Sequence, residues 1–183
     1  MNKSDMIFVY IIQMLRRKKD MFDEIFGELI LDYDYVAKKQ ITFWGNTQEV
    51  EIRIAVEEDN EITQVQRDAY VVLMQNWEEM QQKIAFAILQ YYNEQEKGAY
   101  GPDDEDEFAE WWPDISTVDE LAKKIHLNTI VIREEYIMEL NGENSIYVLF
   151  DCDWGGEDLD DNGVAVLIED GEVSEVGYKD IAY

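Results

Sequence analysis

The spacing of apolar residues divides the chain into helix-like and strand-like stretches. Residues 6–30 carry apolar positions at helix-compatible intervals, which predicts an opening helix. Within it, "MIFVYIIQML" (6–15) is too short to span a bilayer. It is followed by "RRKK" instead of a small-residue cleavage site, so it reads as an added helix or an interface segment. The stretch "QITFWGNTQEVEIRIAVEE" (40–58) then alternates as two strands, with Ile41 and Phe43 followed by Val50, Ile52, Ile54 and Val56 on one face. A hairpin turn is expected at Gly45-Asn46.

The clearest helical pattern follows. Thr63 with Gln66 forms a capping box, and Asn76 with Glu79 resembles a second helix start. Apolar residues recur at Val65, Ala69, Val72, Leu73, Trp77, Met80, Ile84, Ala87, Ile88 and Tyr91, as one kinked helix or two helices meeting near Asn76. The segment "NEQEKGAYGPDDEDEFAEWWPD" reads as an acidic, linker-like loop at about 97–114, with Phe108, Trp111 and Trp112 docking it back onto the body. Thr117 and Glu120 form a third capping box, opening a short helix that ends near His126.

From Leu127 onward the pattern is strand, a meander with turns at Asn141-Gly142 and Asp170-Gly171 and an acidic loop after Trp154. Strands, then helices, then strands indicate an α+β fold. An N-terminal hairpin and a C-terminal meander form antiparallel sheet, packed with a long central helix or helix pair. No internal repeat is present. The division expected is a helical extension over 1–25 and a single α+β domain over 26–183.

Charge changes the picture more than composition does. The 183 residues carry a formal charge of -27, yet 46% are hydrophobic, so this is a folded protein and not an acidic tail. From Asp103 onward there are 24 acidic residues against four basic ones, which places -20 of the charge there. Such a field repels nucleic acid and anionic membrane and attracts basic proteins or divalent cations. Direct nucleic-acid binding is therefore not expected, although carboxylates can mimic phosphates. The candidate partner-binding residues are Asp103, Asp104, Glu105, Asp106, Glu107, Trp111, Trp112, Asp158, Asp160 and Asp161.

The stretch "EDLDDNGVAVLIEDG" (157–171) satisfies a calcium-loop pattern at Asp158, Asp160, Asn162, Gly163 and Glu169. Both flanks are apolar and β-rich, however. Extended chain would carry Glu169 about 20 Å from Gly163, too far to close on a metal. The reading adopted is an acidic hairpin loop with Asn162-Gly163 supplying positive φ. A looser cation site would use Asp158, Asp160, Asp161 and Asn162 without Glu169. No cofactor and no resident metal are expected.

Catalytic constellations are sparse. His126 and Cys152 are the single histidine and the single cysteine, and they lie in different segments. His126 reads as a helix cap or a buried, hydrogen-bonded ring, and the acids beside Cys152 disfavour its thiolate. Ser4, Ser116, Ser145 and Ser174 occupy no nucleophile elbow, and no phosphate-cradling glycine loop is present. A non-enzymatic protein is expected. A lone cysteine and no membrane-spanning stretch fit the cytoplasm.

The C-terminal stretch resembles an uncharacterised bacterial family, catalogued as a domain of unknown function. The resemblance rests on Phe150, Asp151, Cys152 and Trp154, then Val173, Val176, Gly177, Asp180, Ala182 and Tyr183. Upstream, Gln66, Ala69 and Tyr70 match a Q-x-x-A-Y helix, Tyr91-Tyr92 its end, and Pro113, Ile115, Glu120 and Leu121 a further helix start. The family's short W-x-x-E-H-G-L-G turn is replaced here by the longer "WGGEDLDDNGVA", without the histidine. The resemblance covers about residues 26–183 and implies a small acidic protein with no assigned reaction. By analogy of size it suggests a toxin-neutralising, immunity-like protein engaging a basic partner. The alternatives are a nucleic-acid-mimicking inhibitor, a calcium-binding module through residues 158–169, and a carboxylate-based hydrolase.

Overall fold

The computed structural model describes residues 21–56, 61–133, 145–156 and 163–183. The described chain opens as strand, where the apolar spacing predicts helix. β1 (Met21–Asp23) and β2 (Gly27–Asp32) pair antiparallel. The Asp23 side chain decides this. Its Oδ1 accepts hydrogen bonds from the N–H groups of Ile25 (2.8 Å) and Phe26 (3.1 Å), which turns the chain back on itself. Arg67 Nη2 lies 2.8 Å from Oδ2 and holds the buried carboxylate in place. Burial pushes the Asp23 pKa up, but the backbone bonds and Arg67 outweigh it and leave it lowered. The sheet domain therefore begins before residue 26, and residues 1–20 of the expected extension lie outside the described residues.

β3 (Asp34–Phe43) and β4 (Asn46–Ile54) form the expected hairpin, with Ile41, Phe43, Val50, Ile52 and Ile54 all buried. Its turn sits one residue earlier than expected. Trp44 and Gly45 both take positive φ (47° and 83°), as a two-residue type I′ turn requires, and Phe43 pairs with Asn46. The turn expected at Asp170-Gly171 has the same geometry, with φ of 50° and 78°. The turn expected at Asn141-Gly142 lies outside the described residues.

The central helices are two. α1 (Gln64–Gln75) and α2 (Trp77–Tyr91) meet at Asn76. Asn76 makes no side-chain cap to α2; its Nδ2 instead donates to Val72 O (2.8 Å) and so finishes α1. The Thr63 box is present in full. Thr63 Oγ1 accepts from Gln66 N (3.2 Å) and Gln66 Oε1 accepts from Thr63 N (2.9 Å). Gln66 is buried, and its Nε2 donates to Ala55 O (2.6 Å), which ties α1 to the end of β4. Thr63→Ala should cost about 1 kcal/mol in urea unfolding, and Thr63→Ser should restore the loss. An unchanged midpoint for the alanine variant would show that the cap contributes nothing.

Two short helices complete the layer. α3 (Glu105–Trp111) occupies the segment expected to be an acidic, linker-like loop, and α4 (Val118–Leu121) starts at the Thr117–Glu120 box. α4 stops well before His126, which lies in β5 (Ile125–Ile132). β5, β6 (Ile146–Cys152), β7 (Gly163–Glu169) and β8 (Glu172–Tyr178) form an antiparallel meander, followed by a 3-10 turn (Lys179–Ala182).

The eight strands among the described residues lie in sequence order in one sheet, antiparallel except where β4 and β5 run parallel. The helical crossover makes that parallel pair possible, since it carries the chain back to the starting end. The fold is α+β. The helices and one sheet face share the main core, which includes Phe43, Ile52, Ile84, Ile88, Tyr92, Val148, Phe150 and Trp154. Val131, Tyr147, Leu149, Ala165 and Leu167 form a second cluster with Ala182 of the 3-10 turn.

Candidate functional site: an acidic helix on an aromatic base

α3 forms because Asp104 caps it. Its Oδ1 accepts from Asp106 N (3.1 Å) and Glu107 N (3.0 Å), and three acids fill the first turn, where the helix dipole favours negative charge. Asp103, Asp104, Glu105, Asp106, Glu107 and Glu110 are all exposed, and none makes an ion pair with a described residue. The nearest ion pair in sequence is Lys97 Nζ with Asp114 Oδ1 (2.5 Å), which staples the two ends of the segment together.

The two tryptophans assigned to partner contact divide their roles. Trp112 is 2% exposed and its Nε1 donates to Tyr100 O (2.7 Å), so it anchors the segment and is not a contact surface. Trp111 is half-buried, its carbonyl accepts from Gly155 N (2.9 Å), and a Cβ on Gly156 would lie 2.9 Å from its ring. The chain thus enters the acidic stretch 157–162 beside the end of α3. Asp158, Asp160, Asp161 and Asn162 themselves lie outside the described residues. The elements bounding that stretch, β6 followed by the irregular residues 153–156 on one side and β7 on the other, are not the helices of an EF-hand.

Gly163 differs from expectation. It is extended, not at positive φ, and pairs with Asp151 as the first residue of β7. A Cβ there would run into the Phe150 carbonyl and the Lys179 side chain, so close approach and not turn geometry requires glycine. His126 is half-exposed in β5, with Nε2 3.3 Å from Asp153 Oδ1, and is neither a helix cap nor buried. Lys179 pairs with Asp151, and Asn128 Nδ2 donates to Asp151 Oδ2 (2.8 Å) on the same side. Cys152 faces the core, and burial holds its thiol well above the usual range.

Sequence reasoning passed over the group beneath α3. α2 runs into a π turn (Tyr92–Glu96), closed by Lys97 N donating to Tyr92 O (2.8 Å), a feature frequent at functional sites. Glu96 ends it, 3% exposed, with the Trp154 indole beside its carboxyl. Burial pushes its carboxyl up from 4.5 to about 7, only partly opposed by the Trp154 indole N–H. That N–H faces the carboxyl without completing a well-formed hydrogen bond, and Glu96 Oε2 has no partner among the described residues. Around it stand Tyr92, 4.7 Å from Trp154 between ring centroids, and Tyr100, 5.0 Å from Trp112. The signal for Glu96 was present in the spacing: Ile84, Ile88, Tyr92 and Glu96 recur every four residues on the buried stripe.

Fold and site together define an α+β sheet protein presenting an exposed acidic helix, without an ion pair to any described residue, on a packed aromatic base. The chain belongs to the family described as Domain of unknown function (DUF6985), whose model matches residues 25–183. No match was found among curated proteins or among solved structures. Among the described residues, no helix is long and apolar enough to cross a membrane.

Proposed function

We propose that the protein is a non-enzymatic, cytoplasmic binding protein whose α3 surface engages a basic protein partner, most concretely by neutralising a toxin. One observation carries the reading: among the described residues the exposed acids of α3 have no cation paired with them, while Phe108 and Trp112 fix the helix to the body. Charges scattered for solubility alone need no rigid mount. A fixed cluster of one sign accelerates encounter with an oppositely charged patch, by about 10-fold to 1,000-fold at low salt. The exposed edge of Trp111 lies at the rim of that surface, where an aromatic contact would slow dissociation.

Capture from an extract of the source organism, with elution by salt, identifies the partner. Stopped-flow association then tests the surface. Changing Asp103, Asp104 and Asp106 to Asn and Glu105 and Glu107 to Gln keeps a capping residue at position 104. Association should slow by roughly tenfold at low salt and converge with wild type at high salt. Equal rates at low salt would remove α3 from the binding face.

A further inference from the structure

A buried carboxylate is ordinarily paired with a cation or held by several donors, because an isolated charge inside a protein is costly. Glu96 is neither. The groups facing it are Tyr91 and Tyr92 from α2 and the π turn, Tyr100 from the segment leading to α3, Cys152 and Trp154 from β6 and the irregular residues after it, and Tyr178 from β8. Asp180 of the 3-10 turn adjoins Tyr91 and Tyr178. None of these is a cation. Tyr100 and Tyr178, 43% and 42% exposed, are the members of this group that reach solvent.

The same neighbourhood is mechanically joined to α3. Beyond Glu96 the chain passes Gly98 and Gly101, both at positive φ (77° and 149°). Phe108 of α3 packs down on both glycines: a Cβ at either would lie 3.1 Å from its ring. Between them, Tyr100 supplies the carbonyl that holds the Trp112 indole. Any shift of residues 97–101 that admits water to Glu96 therefore displaces the residues under Phe108 and Trp112.

We propose that Glu96 is a proton-operated latch for α3: with the proton on, the 97–101 segment closes over the carboxyl and holds the acidic helix, and with the proton off, water enters beside Tyr100 and the helix is loosened. The latch regulates the surface assigned above to a basic partner and rests on that reading for its purpose, though not for its operation. Burial places the Glu96 carboxyl near 7, so the latch works across the neutral range.

The test needs no partner. Hydrogen exchange of the backbone amides of 98–112 and of the Trp112 indole, corrected for intrinsic rate, is followed from pH 5.5 to 8.5. The Glu96 carboxyl is followed in parallel by its ¹³C shift. Protection of these sites should fall at least tenfold with the same midpoint as the carboxyl, while β6 and β7 amides keep theirs. In Glu96→Gln the protection should be flat with pH. If that variant does not fold, the shared midpoint in the wild-type protein decides alone. A carboxyl titrating below 5, or protection that falls equally in Glu96→Gln, overturns the latch. A latch that works in a protein whose neutralised α3 associates at the wild-type rate would instead refute the binding surface.

Discussion

Gly163→Val should destabilise the protein by more than about 4 kcal/mol, the range reserved for mutations that overpack a core or break a sheet. Gly163 opens β7 opposite Asp151, and a Cβ at this position overlaps the backbone carbonyl of Phe150 in the neighbouring strand. The Lys179 side chain, also in the way, can swing aside at the cost of its ion pair with Asp151. The Phe150 carbonyl cannot move without shifting β6, which lies between β5 and β7 and is buried on both faces. Because the obstacle is reached by the first side-chain atom, Gly163→Ala should also be clearly destabilised in urea unfolding. Wild-type stability for the alanine variant would show that the strands are spaced differently at this point.

The second large effect concerns pH. In the unfolded chain the Glu96 carboxyl titrates near 4.5, and in the folded protein near 7. Between those values the folded state binds more protons, so stability falls as pH rises through the window and levels off above it. A separation of this size corresponds to about 3 kcal/mol. Glu96→Gln removes the ionisation while leaving an amide NH₂ to accommodate, so the variant should be close to wild type or slightly weaker at pH 5. By pH 8 it should be more stable by about 1–3 kcal/mol. Urea unfolding at pH 5, 6, 7 and 8 checks this through the difference in slope. Parallel profiles for the two proteins would mean that Glu96 is ionised at its ordinary pKa in the fold.

What could be read from the sequence is what local chemistry determines. The boxes at Thr63–Gln66 and Thr117–Glu120 depend on residues three apart, and both form as expected. The alternation of Ile41, Phe43, Val50, Ile52 and Ile54 is a property of the strands themselves and placed the hairpin to within one residue. Residues 21–30 failed because their spacing suits either element, and the choice is made by Asp23 together with Arg67, 44 positions away. The parallel junction of β4 with β5 has no local signature, so the hairpin and meander could be named but not joined. At the site, the acidic run and the docking aromatics were visible. Glu96 was hidden among many other acids, although its position on the buried stripe distinguishes it. Its unmet bonding depends on Trp154, Tyr100 and Tyr178, residues that only the fold brings together.

The parallel pairing also has a bearing on synthesis. Ile52 and Ile54 of β4 are matched by Ile130 and Ile132 of β5, so β4 waits for the whole helical crossover before its partner exists. Contacts this distant in sequence form slowly, and an unpaired strand edge is open to other chains meanwhile. A nascent chain stalled before Ile125 would carry the complete β1–β4 hairpins with that edge uncovered. Newly made and prematurely ended copies, more than the finished protein, are therefore the forms that need protection from one another on crowded ribosomes.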